Sequence, residues 1–325
     1  MKILSYIKGL DGSSYHRVYM PNNLLDAEVR TVANISEDDV RWCDVLHYNR
    51  HTKLSARFLD GLRKKYGFKI IVDTDDWWEV NPDHPLYEWW RRSNVSLQIR
   101  EHLMMADAVT VTHKDLADII PNSNVYIIPN AIDYGHGQFK FTKREFSRKL
   151  LYASTVMNYS NTGIISNTHK KLSDLGVEYV IAGHHESPFY EPLVKNLTGG
   201  VIPYSFRPWK GSEEYMSEYD GDIGILPSKN TKFNRMKSNL KVLEFAALKM
   251  PAVVSYVDPY MLMPVNHFSG ESEFVEQVRK LVEDKKYRTK SANNLYDFCV
   301  ANYNLRDYSE KRLKVYEKVK KHELK

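Results

Sequence analysis

The chain has 325 residues, 42% hydrophobic and 27% charged, which excludes wholesale disorder and is enough for two domains of ordinary size. Lysine plus arginine outnumber aspartate plus glutamate by 46 to 41, a net charge of +5 that favours an anionic partner without choosing among a nucleotide, a nucleic acid and peripheral contact with an anionic membrane. No apolar run reaches the roughly 18 residues a membrane span requires, and Cys43 and Cys299 form neither a CxxC pair nor a framework, which fits a reducing, cytoplasmic setting.

The N-terminus, Met1 to Lys8, has a short apolar stretch without a small-residue cleavage site and is read as a first strand rather than a signal peptide. From there β-like runs alternate with helical stretches, the pattern of α/β layering on parallel sheets. The expected strands of the first half are Lys2–Ile7, Val29–Asn34, Asp44–Tyr48, Lys69–Asp73, Ala108–Thr112 and Val125–Ile128, with helices at Ser55–Tyr66 and Tyr87–Met105. The turn-rich segment from Pro129 to Gly137 marks a domain boundary. A second alternating set follows, with strands at Lys149–Ala153, Val177–Ala182, Gly200–Pro203, Asp222–Leu226 and Ala252–Tyr256 and helices at Thr162–Leu175, Leu240–Lys249 and Glu271–Asp284. A charged helix from about Arg306 ends the chain, and Lys311, Lys314, Lys318, Lys320, Lys321 and Lys325 read as its solvated face. The expected organisation is therefore an N-terminal doubly wound domain over 1–133, a linker over 134–148, a second such domain over 149–304 and a terminal helix over 305–325. Doubly wound sheets bind ligands beyond the C-terminal ends of their strands, so the loops there are where chemistry is expected.

The most informative stretch runs from Asp220 through Pro227, Phe233, Lys237, Lys241 and Glu244 to Pro251 and Ser255, in the order strand, loop, helix, turn, strand. Ser238 or Asn239 is placed to cap the helix, whose free N–H groups offer an anion site. Lys237, Lys241 and Glu244 fall at i, i+4 and i+7 and share a face. With Arg235 they suit a diphosphate, and Glu244 suits a ribose diol; mutual pairing on a solvated face is the plainer alternative.

In the first half, Leu10-Asp11-Gly12-Ser13-Ser14-Tyr15-His16-Arg17 follows strand one, where glycine permits close backbone approach, although the segment is not a GxGxxG fingerprint. His47 stands at the end of the third strand, within reach of a sugar or acceptor hydroxyl. The fourth strand ends in Asp73-Thr74-Asp75-Asp76-Trp77-Trp78. Its acids read as hydrogen-bond acceptors for a hydroxyl, with Asp75 the candidate general base, or as capping and salt-bridging groups. Nearby, Trp89 and Trp90 at helical spacing read mostly as core, and the other rings as stacking surfaces.

The Asp220–Ser255 block, together with Ile128-Pro129-Asn130-Ala131-Ile132-Asp133, resembles the GT-B glycosyltransferases, specifically the retaining nucleotide-sugar enzymes called glycosyl transferases group 1. The resemblance spans the full length, in a divergent branch of the kind phages encode. It implies two Rossmann-like domains facing across a cleft, with a nucleoside-diphosphate sugar, a UDP-sugar, as donor and no metal or other cofactor. It makes Glu244 the ribose partner and Lys237 and Lys241 the diphosphate partners, with Lys241 catalytic. Gly12, Ser13, Arg235, Ser238 and Asn239 join the donor side. Ser154 and Thr155 stand where relatives place a phosphate-contacting loop, and Ile202-Pro203-Tyr204 resembles the loop that flanks the nucleobase. Tyr15, Arg17, Asp73, Asp76 and Trp77 fall on the acceptor side. The sequence departs from the group in one telling place: of two glutamates seven residues apart, Glu244 matches the second and Lys237 replaces the first.

The resulting expectation is transfer of a hexosyl or pentosyl group to an acceptor hydroxyl of a glycan. The aromatics and Arg91, Arg92 and Arg100 also fit a hydroxymethylated base in DNA as acceptor. The missing glutamate fits a non-catalytic nucleotide- or glycan-binding protein.

Overall fold

The computed structural model of the chain describes residues 1–9, 11–82, 84–142 and 145–321. Leu10, Lys325 and the end of the expected terminal helix lie outside the described residues. The chain divides into two compact units, one formed by residues 1–131, 236–238 and 303–325, the other by residues 132–235 and 239–302.

The first unit holds six parallel strands, β1 (Lys2–Tyr6), β2 (Glu28–Val32), β3 (Val45–Asn49), β4 (Lys69–Thr74), β5 (Ala108–Val111) and β6 (Val125–Ile127), in the order β2-β1-β3-β4-β5-β6. The order reverses between β1 and β3, which makes the loops after these strands the natural ligand-binding end. Leu4, Leu46, Ile70, Val72 and Val109 point to one face of the sheet and pack with Leu59, Ile99 and Leu103 from the helices there. Ile3, Val45 and Ile71 point to the other, where Val315, Tyr316 and Val319 of the helix Leu305–Lys320 close the layer. Parallel strands buried on both faces explain why these runs are apolar almost throughout.

In the second unit, β7 (Lys149–Ala153), β8 (Glu178–His184), β9 (Tyr204–Pro208), β10 (Ile223–Leu226), β11 (Ala252–Ser255) and β12 (Asn266–Phe268) form a parallel sheet in the order β12-β11-β10-β7-β8-β9. Its core gathers Leu150, Tyr152, Ile181, Ile225 and Val253 against Leu193, Leu197, Phe274 and Val278. Gly224 of β10 is a close-approach position, since a Cβ there would fall 2.4 Å from the Phe245 ring.

Several expectations need correction. The expected helix Tyr87–Met105 is two, Tyr87–Arg92 and Val95–Met105, because Asn94 takes a left-handed conformation at φ 51°. Residues 162–175 are not one helix but a 3₁₀ segment, Val156–Ile165, followed by a short helix, His169–Ser173. The expected strand Gly200–Pro203 is a turn with Gly199 and Gly200 at φ 55° and 75°, so β9 starts only at Tyr204. The strand β12 and the helix Lys285–Asn302 were not anticipated. Among the described lysines of the terminal cluster, Lys311, Lys314, Lys318, Lys320 and Lys321 are all exposed. Cys43 and Cys299 are buried free thiols, each pushed up to about 12 by burial. Among the described residues no helix is long and apolar enough to cross a membrane.

Candidate active site

After β1, Asp11 accepts the Ser14 N–H at 2.7 Å and caps the helix that opens at Gly12. The helix widens into a π turn over Tyr15–Tyr19 before returning to α geometry at Met20–Asn23. Pro21 has no N–H to give the Arg17 carbonyl, which favours this irregular winding. It turns Arg17 inward. The Arg17 guanidinium meets Asp73 at two points, Nε to Oδ1 and Nη2 to Oδ2, both 2.8 Å. The Thr110 hydroxyl donates to Asp73 at 2.5 Å, and Arg312 lies 3.9 Å away. All four side chains are buried. Asp73 and Arg17, expected on the acceptor side, are thus the polar hub of the first unit.

Asp75, two residues on, reaches the C-terminal end of the sheet. Its Oδ2 accepts the Ser13 hydroxyl at 2.8 Å, and its Oδ1 accepts Asn49 at 3.2 Å and Arg50 at 3.3 Å. Arg50 sits at φ 59°, an uncommon conformation for a side-chain-bearing residue, and also donates to Asp76 at 3.3 Å. Arg50 Nε finds no partner among the described residues. The Asp76 side chain keeps 28% exposure. Burial and the neighbouring Asp75 raise its pKa above the ordinary carboxylate value of 3.8, against the pull of Arg50, Lys237 and the Ser238 backbone N–H. Lys237 is in turn lowered by burial, with Asp76 opposing the shift. Ser238 belongs to the same unit and accepts from Asn130 Nδ2 at 2.7 Å, while Asn130 accepts from Arg17 at 3.1 Å. A chain of hydrogen bonds therefore runs from Asp73 through Arg17 and Asn130 to Ser238.

His47 does not join this group. It is closed to solvent, with Nδ1 2.9 Å from Asn22 Nδ2 and 2.8 Å from the Tyr316 hydroxyl. Burial, aided by Arg312 and Arg17, lowers its pKa well below 6.5, so it is a neutral core histidine. Tyr15 stacks on Tyr19 at 6.0 Å and is buried. Trp77 packs against the core, as does Trp90, whose indole N–H donates to the Trp78 carbonyl and Ser96 Oγ, both at 2.9 Å. Trp89, expected in the core, is instead 57% exposed because the helix it lies on is short and peripheral.

In the second unit, Glu244 is only 1% exposed. Its Oε1 accepts the Tyr215 hydroxyl at 2.9 Å, and its Oε2 accepts the Tyr219 hydroxyl at 2.8 Å and Lys241 Nζ at 2.7 Å. The phenols thus occupy the carboxylate that was expected to face a ribose. Lys241 also donates to the Tyr219 hydroxyl at 2.8 Å. The basic residues expected together on a diphosphate divide: Arg235 donates to Asn230 at 2.7 Å, Lys241 is held by Glu244, and Lys237 belongs with Asp76. Asn239 occupies the cap position of the helix Leu240–Ala247, yet its side chain makes no cap bond; its Nδ2 donates instead to Met263 Sδ at 3.7 Å.

Ser154 and Thr155 do follow a strand, β7, and Ser154 Oγ accepts from Asn158 at 3.0 Å. Tyr204 opens β9 rather than following a strand, so it stands at the end of the parallel sheet opposite the ligand-binding loops. Sequence reasoning missed a polar set at the correct end. Ser255 Oγ accepts the Ser228 N–H at 2.8 Å, and Asn161 Oδ1 accepts the Lys229 N–H at 3.2 Å and Asn234 Nδ2 at 2.8 Å. The only available signal was position: Ser255 ends β11, Asn161 lies in the segment after β7, and Ser228, Lys229 and Asn234 lie between β10 and the helix Leu240–Ala247.

Neither a protein-family model nor a curated protein matches the chain. Solved structures do. HepE of Anabaena, in complex with UDP and glucose, superposes with a TM-score of 0.68 at 11% identity over 98% of this chain and 99% of that one. AviGT4, a glycosyltransferase involved in avilamycin A biosynthesis, gives 0.62 at 12% identity over 99% and 98%. A glycosyltransferase of Rickettsia africae gives 0.66 at 10% identity over 98% of both chains. The chain is similar to all three in fold, and it carries the two Rossmann-like domains of the GT-B glycosyltransferase fold.

Proposed function

We propose that this chain is a glycosyltransferase that moves a sugar from a nucleoside-diphosphate sugar, a UDP-sugar, to a hydroxyl of a glycan. The observation that carries the reading is the Asp75–Asp76 pair at the C-terminal end of the first sheet. Asp75 is fixed by Ser13, Asn49 and Arg50, while Asp76 stays partly exposed with a raised pKa. Both oxygens of Asp75 are already engaged, so the partly exposed Asp76 is the one left to meet the acceptor hydroxyl. The solved neighbours support the donor class: HepE was captured with UDP and with UDP-glucose.

In this reading the acceptor O–H donates to Asp76 and its oxygen attacks the anomeric carbon. The bond to the diphosphate breaks with its electron pair on the departing oxygen, and Lys237 and Arg50 offset the growing negative charge. If configuration inverts, Asp76 keeps the proton; if it is retained, the proton passes to the leaving phosphate. Basic groups do the work a metal does elsewhere, because the oxygens of Asp73 and Asp75 already accept from Arg17, Thr110, Ser13, Asn49 and Arg50.

A thermal-shift panel of UDP, GDP, ADP, CDP and dTDP with their sugars tests the donor. A ligand at 100 times its Kd stabilises by about 2.7 kcal/mol. One nucleotide is expected to stabilise the protein, and its sugar to be consumed when a glycan acceptor is present. Silence across the panel would sink the reading. Binding without donor consumption by the wild type would favour the non-catalytic protein, to which the sealed Glu244 also points.

A further inference from the structure

We propose that the acceptor carries an anionic group, a carboxylate or a phosphate, and that Lys8, Arg50 and Lys53 bind it. The inference rests on the transferase reading above and names the chemical class of its acceptor. Lys8 lies in the loop after β1, and Arg50, His51 and Lys53 lie in the loop after β3. The order of the sheet reverses between these two neighbouring strands, the position at which a doubly wound sheet opens its ligand crevice. Sequence reasoning gave none of these basic residues a role.

The cluster is rich in donors and short of acceptors. An ammonium can only donate, so Lys8 Nζ, 2.5 Å from His51 Nε2, places the imidazole proton on Nδ1. His51 is neutral, lowered to about 3 chiefly by burial, and its Nδ1 finds no partner among the described residues. Arg50 Nε also lacks one, although Nη2 of the same side chain reaches Asp75 and Asp76, each at 3.3 Å. Lys53 is pinned in place: its N–H donates to the Tyr6 hydroxyl at 3.3 Å and its Nζ to Asn34 Oδ1 at 2.9 Å. Both lysines reach solvent, and the bonds of their ammonium groups go to a neutral imidazole and an amide oxygen rather than to a carboxylate. Lys8 is lowered chiefly by partial burial and further by the charges of Arg50 and Lys53, against the pull of Asp11. The carboxylates nearby are committed elsewhere, Asp11 to the Ser14 N–H and Asp75 to Ser13, Asn49 and Arg50. Cations gathered at a ligand-binding strand end without a bonded counter-charge call for an anion from outside. A carboxylate or a phosphate, negatively charged and accepting only, meets both the ammonium groups and the surplus of donors, whereas a neutral hydroxyl leaves the charge unmet. Because Arg50 also reaches Asp76, the same guanidinium ties this anion subsite to the carboxylate that meets the acceptor hydroxyl.

The intact protein is saturated with the nucleoside diphosphate that binds it most tightly, which fills the donor's phosphate positions. It is then titrated by calorimetry at low salt with inorganic phosphate, glucose 6-phosphate, glucuronate and glucose. At least one anionic probe is expected to bind about tenfold or more tightly than glucose and to lose that advantage at high ionic strength. Glucose 6-phosphate set against glucuronate tells phosphate from carboxylate. Lys8→Ala and Lys53→Ala are each expected to weaken the better anion about 10- to 100-fold, and Lys8→Arg to stay within about threefold of wild type. All three are expected to bind the nucleotide as wild type does, and thermal melts confirm that they fold. Lys314→Ala, on the exposed face of the terminal helix, controls for charge alone and is expected to change nothing. The proposal is overturned if glucose binds as well as the anions, if no anionic probe binds, or if either alanine variant binds them as wild type. It is also overturned if the variants lose nucleotide and anion affinity together, which would give the cluster to the donor. If no nucleoside diphosphate binds wild type, the transferase reading itself fails and takes this acceptor with it, a result distinct from a nucleotide-loaded protein that ignores anions.

Discussion

Arg17 and Asp73 are joined by two parallel hydrogen bonds of 2.8 Å in the interior of the first unit, where neither side chain reaches solvent. Such a pair fixes the helix after β1 against β4, and with it the first helical turn, which offers Ser13 to Asp75.

Breaking that pair is costly, because the surviving charges stay buried. Asp73→Asn removes the carboxylate that faces both Arg17 and Arg312, and is expected to lower unfolding free energy by about 3–5 kcal/mol. Urea unfolding of the variant measures it. A loss below about 1 kcal/mol would mean that Asp73 is not the hub.

Asp76 carries the opposite sign. Its folded pKa is raised, so the native state holds a proton that the unfolded chain has already released between the ordinary carboxylate value and the folded value. Its contribution to stability is full below that window and is lost as pH rises through it. Asp76→Asn is therefore expected to be at least as stable as wild type at neutral pH, while transfer falls about 100- to 10,000-fold. Melting curves and initial rates on one preparation check both halves, and a variant that keeps wild-type turnover would remove Asp76 from the mechanism.

The buried histidines make the first unit sensitive to acid. His47 is held well below 6.5, His102 is lowered to about 4 and His51 to about 3, in each case chiefly by burial. The unfolded chain takes up these protons as pH falls below 6.5 and the native state does not, so the stability they leave intact above that value is lost on the way down. His47→Gln should flatten the slope of unfolding free energy against pH below 6.5 by up to about 1.4 kcal/mol per pH unit. Denaturant titrations at several pH values give that slope; identical slopes for variant and wild type would contradict the assignment.

Tyr215→Phe and Tyr219→Phe each withdraw one phenol from the buried Glu244. Each is expected to cost about 1–3 kcal/mol of stability, because a buried carboxylate is left under-satisfied. Nucleotide affinity should change little if Glu244 is an anchor. Tighter binding in the Tyr215→Phe variant would instead mean that the phenol competes with the ribose for Glu244.

The strand and helix pattern was largely legible in the chain itself. Apolar runs such as Ile70-Ile71-Val72 and Ala252-Val253-Val254, alternating with helical stretches, fit strands buried on both faces of a parallel sheet, and Ser55 announces the helix Ala56–Tyr66 by capping Phe58 at 3.3 Å. Local chemistry also placed Asp75 and Asp76 at a strand end. What it did not convey was the difference between neighbouring acids: Asp73, inside β4, is sealed by Arg17, whereas Asp76, beyond the end of β4, is left partly open, because their partners come from distant segments. His47 looked available until Tyr316, 269 residues away, closed over it. Glu244 looked ready for a ribose until Tyr215 and Tyr219 took both its oxygens. Residue type and spacing determined the parallel sheets and the loops that can carry chemistry. Which polar groups remain free for a ligand was decided only by tertiary structure, because burial and pairing depend on side chains that meet across the fold.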